Sequence, residues 1–94
     1  MNIHIYTIYQ LFTSPYSKYL ADYAKASANV LFVRKKIDEQ GSTPKLLQEL
    51  ASVENALDAE YAKVKEIYDS SSQKDEHLVS LKSIVEADYK VTRY

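Results

Sequence analysis

The stretch DEQGSTPK, residues 38–45, separates two long helical patterns and decides the fold. Gly41 stands where a left-handed helix C-cap belongs. Thr43 can cap the next helix with its hydroxyl, and Pro44 suits the first helical position. About three residues connect the two patterns, which is enough for a tight turn between antiparallel helices and for little else. The sequence therefore predicts a helical hairpin.

The two helices of this hairpin are predicted at 15–40 and 44–69, each about 39 Å long at 1.5 Å per residue. Ser14 is expected to cap the first helix, with Pro15 as its first residue. Apolar residues recur at steps of three and four along both helices, which places them on one face. On the first helix they are Tyr19, Tyr23, Ala26, Val30, Val33 and Ile37. On the second they are Leu46, Leu47, Leu50, Val53, Leu57, Tyr61, Val64, Ile67 and Tyr68.

A third helix is predicted at 73–93, and Ser72 with Asp75 resembles a capping box at its start. Its apolar face consists of Leu78, Leu81, Val85, Tyr89 and Thr92, widened by Ile84 and Val91. Lys82, Glu86 and Lys90 follow one another at four-residue spacing, so we expect two ion pairs on the opposite face.

Residues 1–13 fit two interpretations. Their β-branched and aromatic side chains favour a strand, but no second strand is visible in the sequence to pair with it. Ile5, Ile8, Tyr9 and Phe12 also share one face of a helix, so we interpret the segment as a helix packed on the hairpin. It lacks a basic start and a long apolar run, and we therefore expect neither a targeting peptide nor a membrane span.

These elements predict an all-α protein, a small helical bundle forming a single domain over residues 1–94. The chain has no cysteine, two histidines and a net charge of −1. The composition excludes disulfide frameworks and thiolate zinc sites, and it disfavours nucleic-acid binding, which needs a basic excess. No residue pattern indicates a catalytic, metal or cofactor site. We expect a soluble, cytoplasmic, non-enzymatic protein with no small-molecule substrate.

The unusual feature of the composition is nine tyrosines beside two phenylalanines. A small bundle cannot bury so many hydroxyls, and half-buried tyrosines are common in protein interfaces. Apolar residues off the main stripe of the first helix add to this surplus. The candidate partner contacts are Tyr6, Tyr9, Phe12, Tyr16, Leu31, Phe32, Glu54, Asp58, Tyr61 and Tyr68.

Two functional hypotheses follow from these candidates. The first is a protein–protein interaction or assembly subunit that forms homo-oligomers through an apolar, tyrosine-rich helical face. The second is an acidic regulator or inhibitor of an enzyme or nucleoprotein, with recognition by Glu54, Asp58, Glu60 and Glu66 of the second helix. The basic run Arg34-Lys35-Lys36 fits either a solvated helix end, paired with nearby carboxylates, or a patch that contacts phosphate or an acidic partner.

Overall fold

A computed structural model describes residues 14–94 of the chain. Three helices account for most of this span: α1 at Ser17–Gln40, α2 at Pro44–Ser70 and α3 at Glu76–Arg93. No strand occurs within residues 14–94, and the all-α prediction is confirmed for them. The predicted helix at 1–13, its strand alternative and its packing on the hairpin lie outside the described residues.

The turn between α1 and α2 has the chemistry that its sequence predicts. The Gly41 amide donates to the Ile37 carbonyl at 2.7 Å, and the Thr43 hydroxyl accepts from the Leu46 amide at 3.1 Å. Gly41 has φ 87° and ψ 166°, so its φ is positive as expected, but its ψ lies outside the left-handed helical region. This combination is almost restricted to glycine. A Cβ on Gly41 would meet no atom within 4 Å, so the requirement for glycine is conformational.

The start of α1 differs from the prediction by two residues. Ser14 forms a turn instead of the cap: its carbonyl accepts from the Ser17 amide and its hydroxyl from the Tyr16 amide, both at 3.2 Å. Tyr16 occupies the N-cap position and makes no capping bond with its side chain. The helix therefore begins at Ser17, after the Ser14–Pro15 turn.

The start of α3 also differs, because the capping role falls to a carboxylate. Asp75 is the N-cap, and its carboxylate accepts from the Leu78 amide at 2.8 Å. The predicted capping box between Ser72 and Asp75 is wrong, since Asp75 occupies the cap position itself. An ionised acceptor at a helix N-terminus also interacts favourably with the helix dipole.

The predicted stripes form the core. Its buried apolar residues are Tyr23, Ala26, Val30, Val33, Leu46, Leu57, Val64, Leu78, Leu81 and Val85. Two members of the predicted stripes, Leu47 and Val91, are exposed instead. Val91 lies outside the core because Thr92, the next residue along α3, faces α1. Consecutive residues of a helix point in different directions.

Two ion pairs between α1 and α2 show how these helices are oriented, because the residue number falls along α1 as it rises along α2. Lys36 lies 3.2 Å from Glu49 near the turn, and Arg34 lies 2.9 Å from Glu54 farther from it. These contacts are those of an antiparallel pair, and the short turn at residues 41–43 is consistent with it.

Helix α3 runs beside α1 in the same direction. The Tyr16 hydroxyl donates to Asp75 at the start of α3, and the Arg34 guanidinium donates to the Thr92 carbonyl at its end. Because α3 ends at the level of Arg34, the last turn of α1 and the first turns of α2 extend beyond it. Leu47 lies in this extension, which explains why α3 does not cover it.

Two leucines of α2 provide a matched test of this core. Leu57 is 0% exposed and Leu47 is 50% exposed. We expect Leu57→Ala to lower the free energy of unfolding by about 2–5 kcal/mol, because it leaves a cavity among packed side chains. The control Leu47→Ala should lower it by less than about 1 kcal/mol. Urea titrations measure both values, and equal losses would contradict the packing described here.

Candidate interaction surface

The carboxylate of Asp88 joins α3 to the middle of α1. Its Oδ2 accepts hydrogen bonds from the Tyr23 hydroxyl at 2.8 Å, the Ser27 hydroxyl at 2.9 Å and the Thr92 hydroxyl at 3.2 Å. Tyr23 and Ser27 lie four residues apart on α1, as do Asp88 and Thr92 on α3, so each pair lies on one helix face. We call Asp88 and these three hydroxyls the Asp88 cage.

The Asp88 cage contains one charge and no cation. Hydrogen bonds to an ionised acceptor are stronger than those between neutral groups, so three hydroxyl donors replace much of the carboxylate's hydration. Burial, followed by the hydrogen bond to Asp88, raises the pKa of Tyr23 above its ordinary value of 10.0. Over residues 14–94, every buried side-chain nitrogen and oxygen has a hydrogen-bond partner.

A second polar cluster joins α2 to the end of α3. Glu54 binds Arg34 at 2.9 Å and Arg93 at 3.3 Å. Asp58, one turn later, accepts from Arg93 at 3.0 Å and from the Tyr89 hydroxyl at 2.6 Å. Glu54 and Asp58, two of the predicted partner contacts, are therefore engaged in contacts within the chain.

Three of the predicted tyrosine contacts also pack on their own chain. The Tyr61 ring stacks on the Tyr89 ring with centroids 4.0 Å apart and an interplanar angle of 2°. Tyr68 lies beneath the ammonium groups of Lys74 and Lys82, at 4.9 and 4.6 Å from its centroid. The Tyr16 hydroxyl donates to Asp75 at 3.2 Å. These rings are half-buried, as expected, and each has an intramolecular partner.

Leu31 and Phe32 are the two candidates that face solvent, at 53% and 60% exposure. Phe32 is partly covered by its own helix, since the Lys36 ammonium lies 4.7 Å from the ring centroid. Leu31 has no such cover. The remaining candidates, Tyr6, Tyr9 and Phe12, lie outside the described part of the chain.

Leu31 borders a shallow groove between α1 and α3, with a volume of about 300 Å³. Its lining consists of Leu20, Tyr23, Ala24, Ser27, Ala28, Leu31, Ile84 and Asp88. We call this surface the α1–α3 groove. Large apolar residues stand at its edges, and alanines along α1 leave space between them. Its polar members all belong to the Asp88 cage, so the remainder of the surface is apolar.

Sequence reasoning missed this groove, although a signal for it exists. Leu20, Ala24, Ala28 and Leu31 follow one another at steps of four, four and three, which is a second helical stripe on α1. Two of its four members are alanines, which are frequent in any helix and so mask the pattern. On α3, exposed Val91 lies seven residues after Ile84 and therefore on the same face.

The basic run divides among three partners. Arg34 binds Glu54 and Lys36 binds Glu49, so both hold α1 against α2. Lys35 faces solvent and lies 3.9 Å from Glu39 of its own helix, at the limit of an ion pair. The predicted intrahelical pairing is therefore confirmed for Lys35, whereas its neighbours pair across the hairpin.

The described residues contain no cluster of three metal-ligating side chains. Between residues 14 and 94, none of the helices has the length and apolar character needed to cross a bilayer. No family model matches the chain, and no curated protein or solved structure matches it.

Alkaline pH is expected to destabilise the fold through Tyr23 and Tyr89. The hydrogen bond to Asp58 raises the pKa of Tyr89 from 10.0 to about 12, and the pKa of Tyr23 is also raised. Because the folded protein holds these protons more tightly, the stability they provide is complete below pH 10 and falls as pH rises above it. The contribution of Tyr89 is lost as pH passes about 12, and that of Tyr23 continues to fall above that pH.

Urea titrations across this window should show a falling free energy of unfolding. Tyr89→Phe removes one of the two titrating hydroxyls, so the free energy of unfolding should decrease less steeply with pH in this variant. An equally steep fall in Tyr89→Phe would contradict the role assigned to Tyr89.

Proposed function

We propose that this protein is a small, non-enzymatic assembly subunit that associates with a second copy of itself through the α1–α3 groove. The observation that carries the proposal is the exposure of Leu31 at a groove that is apolar apart from the Asp88 cage. Full burial of an exposed leucine is worth about 1.5–3 kcal/mol, and Leu31, at 53% exposure, would gain roughly half of that. A symmetric dimer would bury two of them.

The shape of the groove supports a helix as its occupant. Ala24 and Ala28 allow a second helix to approach closely, while Leu20, Leu31 and Ile84 stand beside them and can pack against its sides. Helix α1 of a second copy is the proposed occupant, with its own Leu31 beside the first. Two Leu31 side chains that meet on a two-fold axis make a contact of identical surfaces, which is the form that a symmetric dimer takes.

The overall charge also supports a second copy as the partner. With 12 basic and 13 acidic side chains, the chain has a net charge of −1. Two copies therefore approach with little long-range repulsion, and proteins near neutrality associate more readily than highly charged ones.

The alternative hypothesis, an acidic regulator, has weaker support. It assigned recognition to Glu54, Asp58, Glu60 and Glu66 of α2. Glu54 and Asp58 are held by arginines of α1 and α3, and Glu60 lies 3.2 Å from Lys63. A partner would have to displace those contacts, and an acidic face with so few available carboxylates gives weak electrostatic recognition.

Solution mass tests the proposal directly. We expect light scattering over a dilution series to show a monomer–dimer equilibrium for the wild-type chain. Leu31→Asp should raise the dissociation constant at least about tenfold, because it removes apolar burial and places two like charges in the contact.

The control is Val79→Asp, which introduces the same charge at an exposed valine on another face of α3. It should dimerise as the wild type does. A wild-type monomer at every concentration would refute the proposal, and so would a Leu31→Asp variant that dimerises unchanged.

A further inference from the structure

We infer that residues 1–13 occupy the α1–α3 groove of their own chain and so compete with the second copy for it. The inference rests on the proposed self-association, whose regulation it names, but the docking of the segment can be tested without a dimer. It is carried by the point at which the segment joins the described chain, by its length and by its composition.

Residues 1–13 join the described chain close to one end of the α1–α3 groove. The first described residue, Ser14, belongs to the turn that precedes α1. Leu20 lines the groove and lies six positions after Ser14, roughly 9 Å along the helix axis. A segment that precedes Ser14 and turns back along α1 therefore meets the groove at Leu20.

The length of the segment matches the distance that it has to cover. Thirteen residues span about 20 Å as a helix and about 43 Å when extended. Ala28, near the far end of the groove, lies 14 positions after Ser14 and therefore about 21 Å along α1. Even in the shorter of the two conformations, the segment covers the groove from Leu20 to about the level of Ala28.

The composition of the segment suits an apolar surface. All lysines, arginines, aspartates and glutamates of the chain lie after residue 13. Large apolar side chains share one face of the helix expected at residues 1–13, namely Ile5, Ile8, Tyr9 and Phe12. The groove is apolar apart from the Asp88 cage, whose carboxylate already accepts three hydrogen bonds. An uncharged segment with one apolar face is the kind of occupant that such a surface binds.

Covalent attachment gives the segment an advantage over a free second copy. A short tether holds its ligand at an effective concentration in the millimolar range, whereas a second copy is present only at its solution concentration. Both occupants need the space beside Ala24 and Ala28, so they exclude each other. The fraction of chains with a free groove therefore sets the apparent affinity of the dimer.

A charge on the segment tests the competition by light scattering on the full chain. Ile8→Asp places a carboxylate on the apolar face of the segment, so it should free the groove and lower the dimer dissociation constant at least about threefold. The matched control, Gln10→Asp, places the same charge on the other side of the expected helix and should dimerise as the wild type does. An Ile8→Asp dimer that is no tighter than the wild type overturns the competition.

A nitroxide label tests the docking itself, at concentrations low enough for the chain to be monomeric. Attached to Gln10→Cys, the label leaves the apolar face of the segment intact, and its unpaired electron broadens the NMR signals of nearby nuclei. We expect broadening at Ala24 and Ile84 in the groove and none at Ala59, which is exposed on α2. Adding Ile8→Asp to the labelled chain should restore the groove signals. Equal broadening at Ala24 and Ala59 overturns the docking.

The two readouts separate this inference from the proposal beneath it. If no chain dimerises at any concentration, self-association is refuted, and the broadening at Ala24 still decides whether the segment occupies the groove. If the dimer forms and neither readout responds to Ile8→Asp, self-association stands and this inference is refuted. Broadening in the groove together with a tighter Ile8→Asp dimer supports both.

Discussion

The three hydrogen bonds that converge on Asp88 constrain the rest of this molecule. Two of them, from Tyr23 and Ser27, join α1 to α3, and the third, from Thr92, lies within α3. With the Tyr16–Asp75 and Arg34–Thr92 contacts at the two ends of α3, they hold the third helix beside α1. Two consequences follow. The core forms where the apolar faces of the helices meet, and a groove remains on the outer side of the α1–α3 contact. The same carboxylate that positions α3 thus leaves one unpaired charge at the border of an apolar surface.

The other polar contacts determine which surfaces remain available to a partner. Arg34 and Arg93 neutralise Glu54, and Asp58 holds Arg93 and Tyr89, so the side of α2 that appeared acidic in sequence is used within the fold. Three tyrosines behave in the same way, since the hydroxyls of Tyr16, Tyr23 and Tyr89 donate to carboxylates of the same chain. Leu31, at the α1–α3 groove, is among the large apolar side chains that stay exposed within residues 14–94, and it is the centre of the proposed contact.

The sequence predicts the helices and the core well because those depend on local chemistry and on a periodic pattern. Gly41, Thr43 and Pro44 mark the turn, and the stripes identify residues such as Val30 and Leu57 as buried. The site is predicted poorly because it depends on distant pairing. The residues around Glu54 in the sequence are the same whether its carboxylate faces solvent or two arginines. The two arginines lie 20 and 39 positions away along the chain, so the local sequence does not reveal them. Leu31 and Phe32 were predictable as surplus apolar residues, whereas the groove beside Leu31 requires knowledge of where α3 lies.

Cross-linking through a single introduced thiol tests the proposed two-fold contact at Leu31 most directly, since the chain has no cysteine of its own. A disulfide forms only when two Cα atoms approach to about 4.4–6.8 Å. Under mild oxidation at concentrations where the dimer forms, we expect Leu31→Cys to yield a covalent dimer rapidly. Val79→Cys, equally capable of exposing a thiol but remote from the groove, should remain monomeric or react slowly. Equal rates for the two variants would contradict the account.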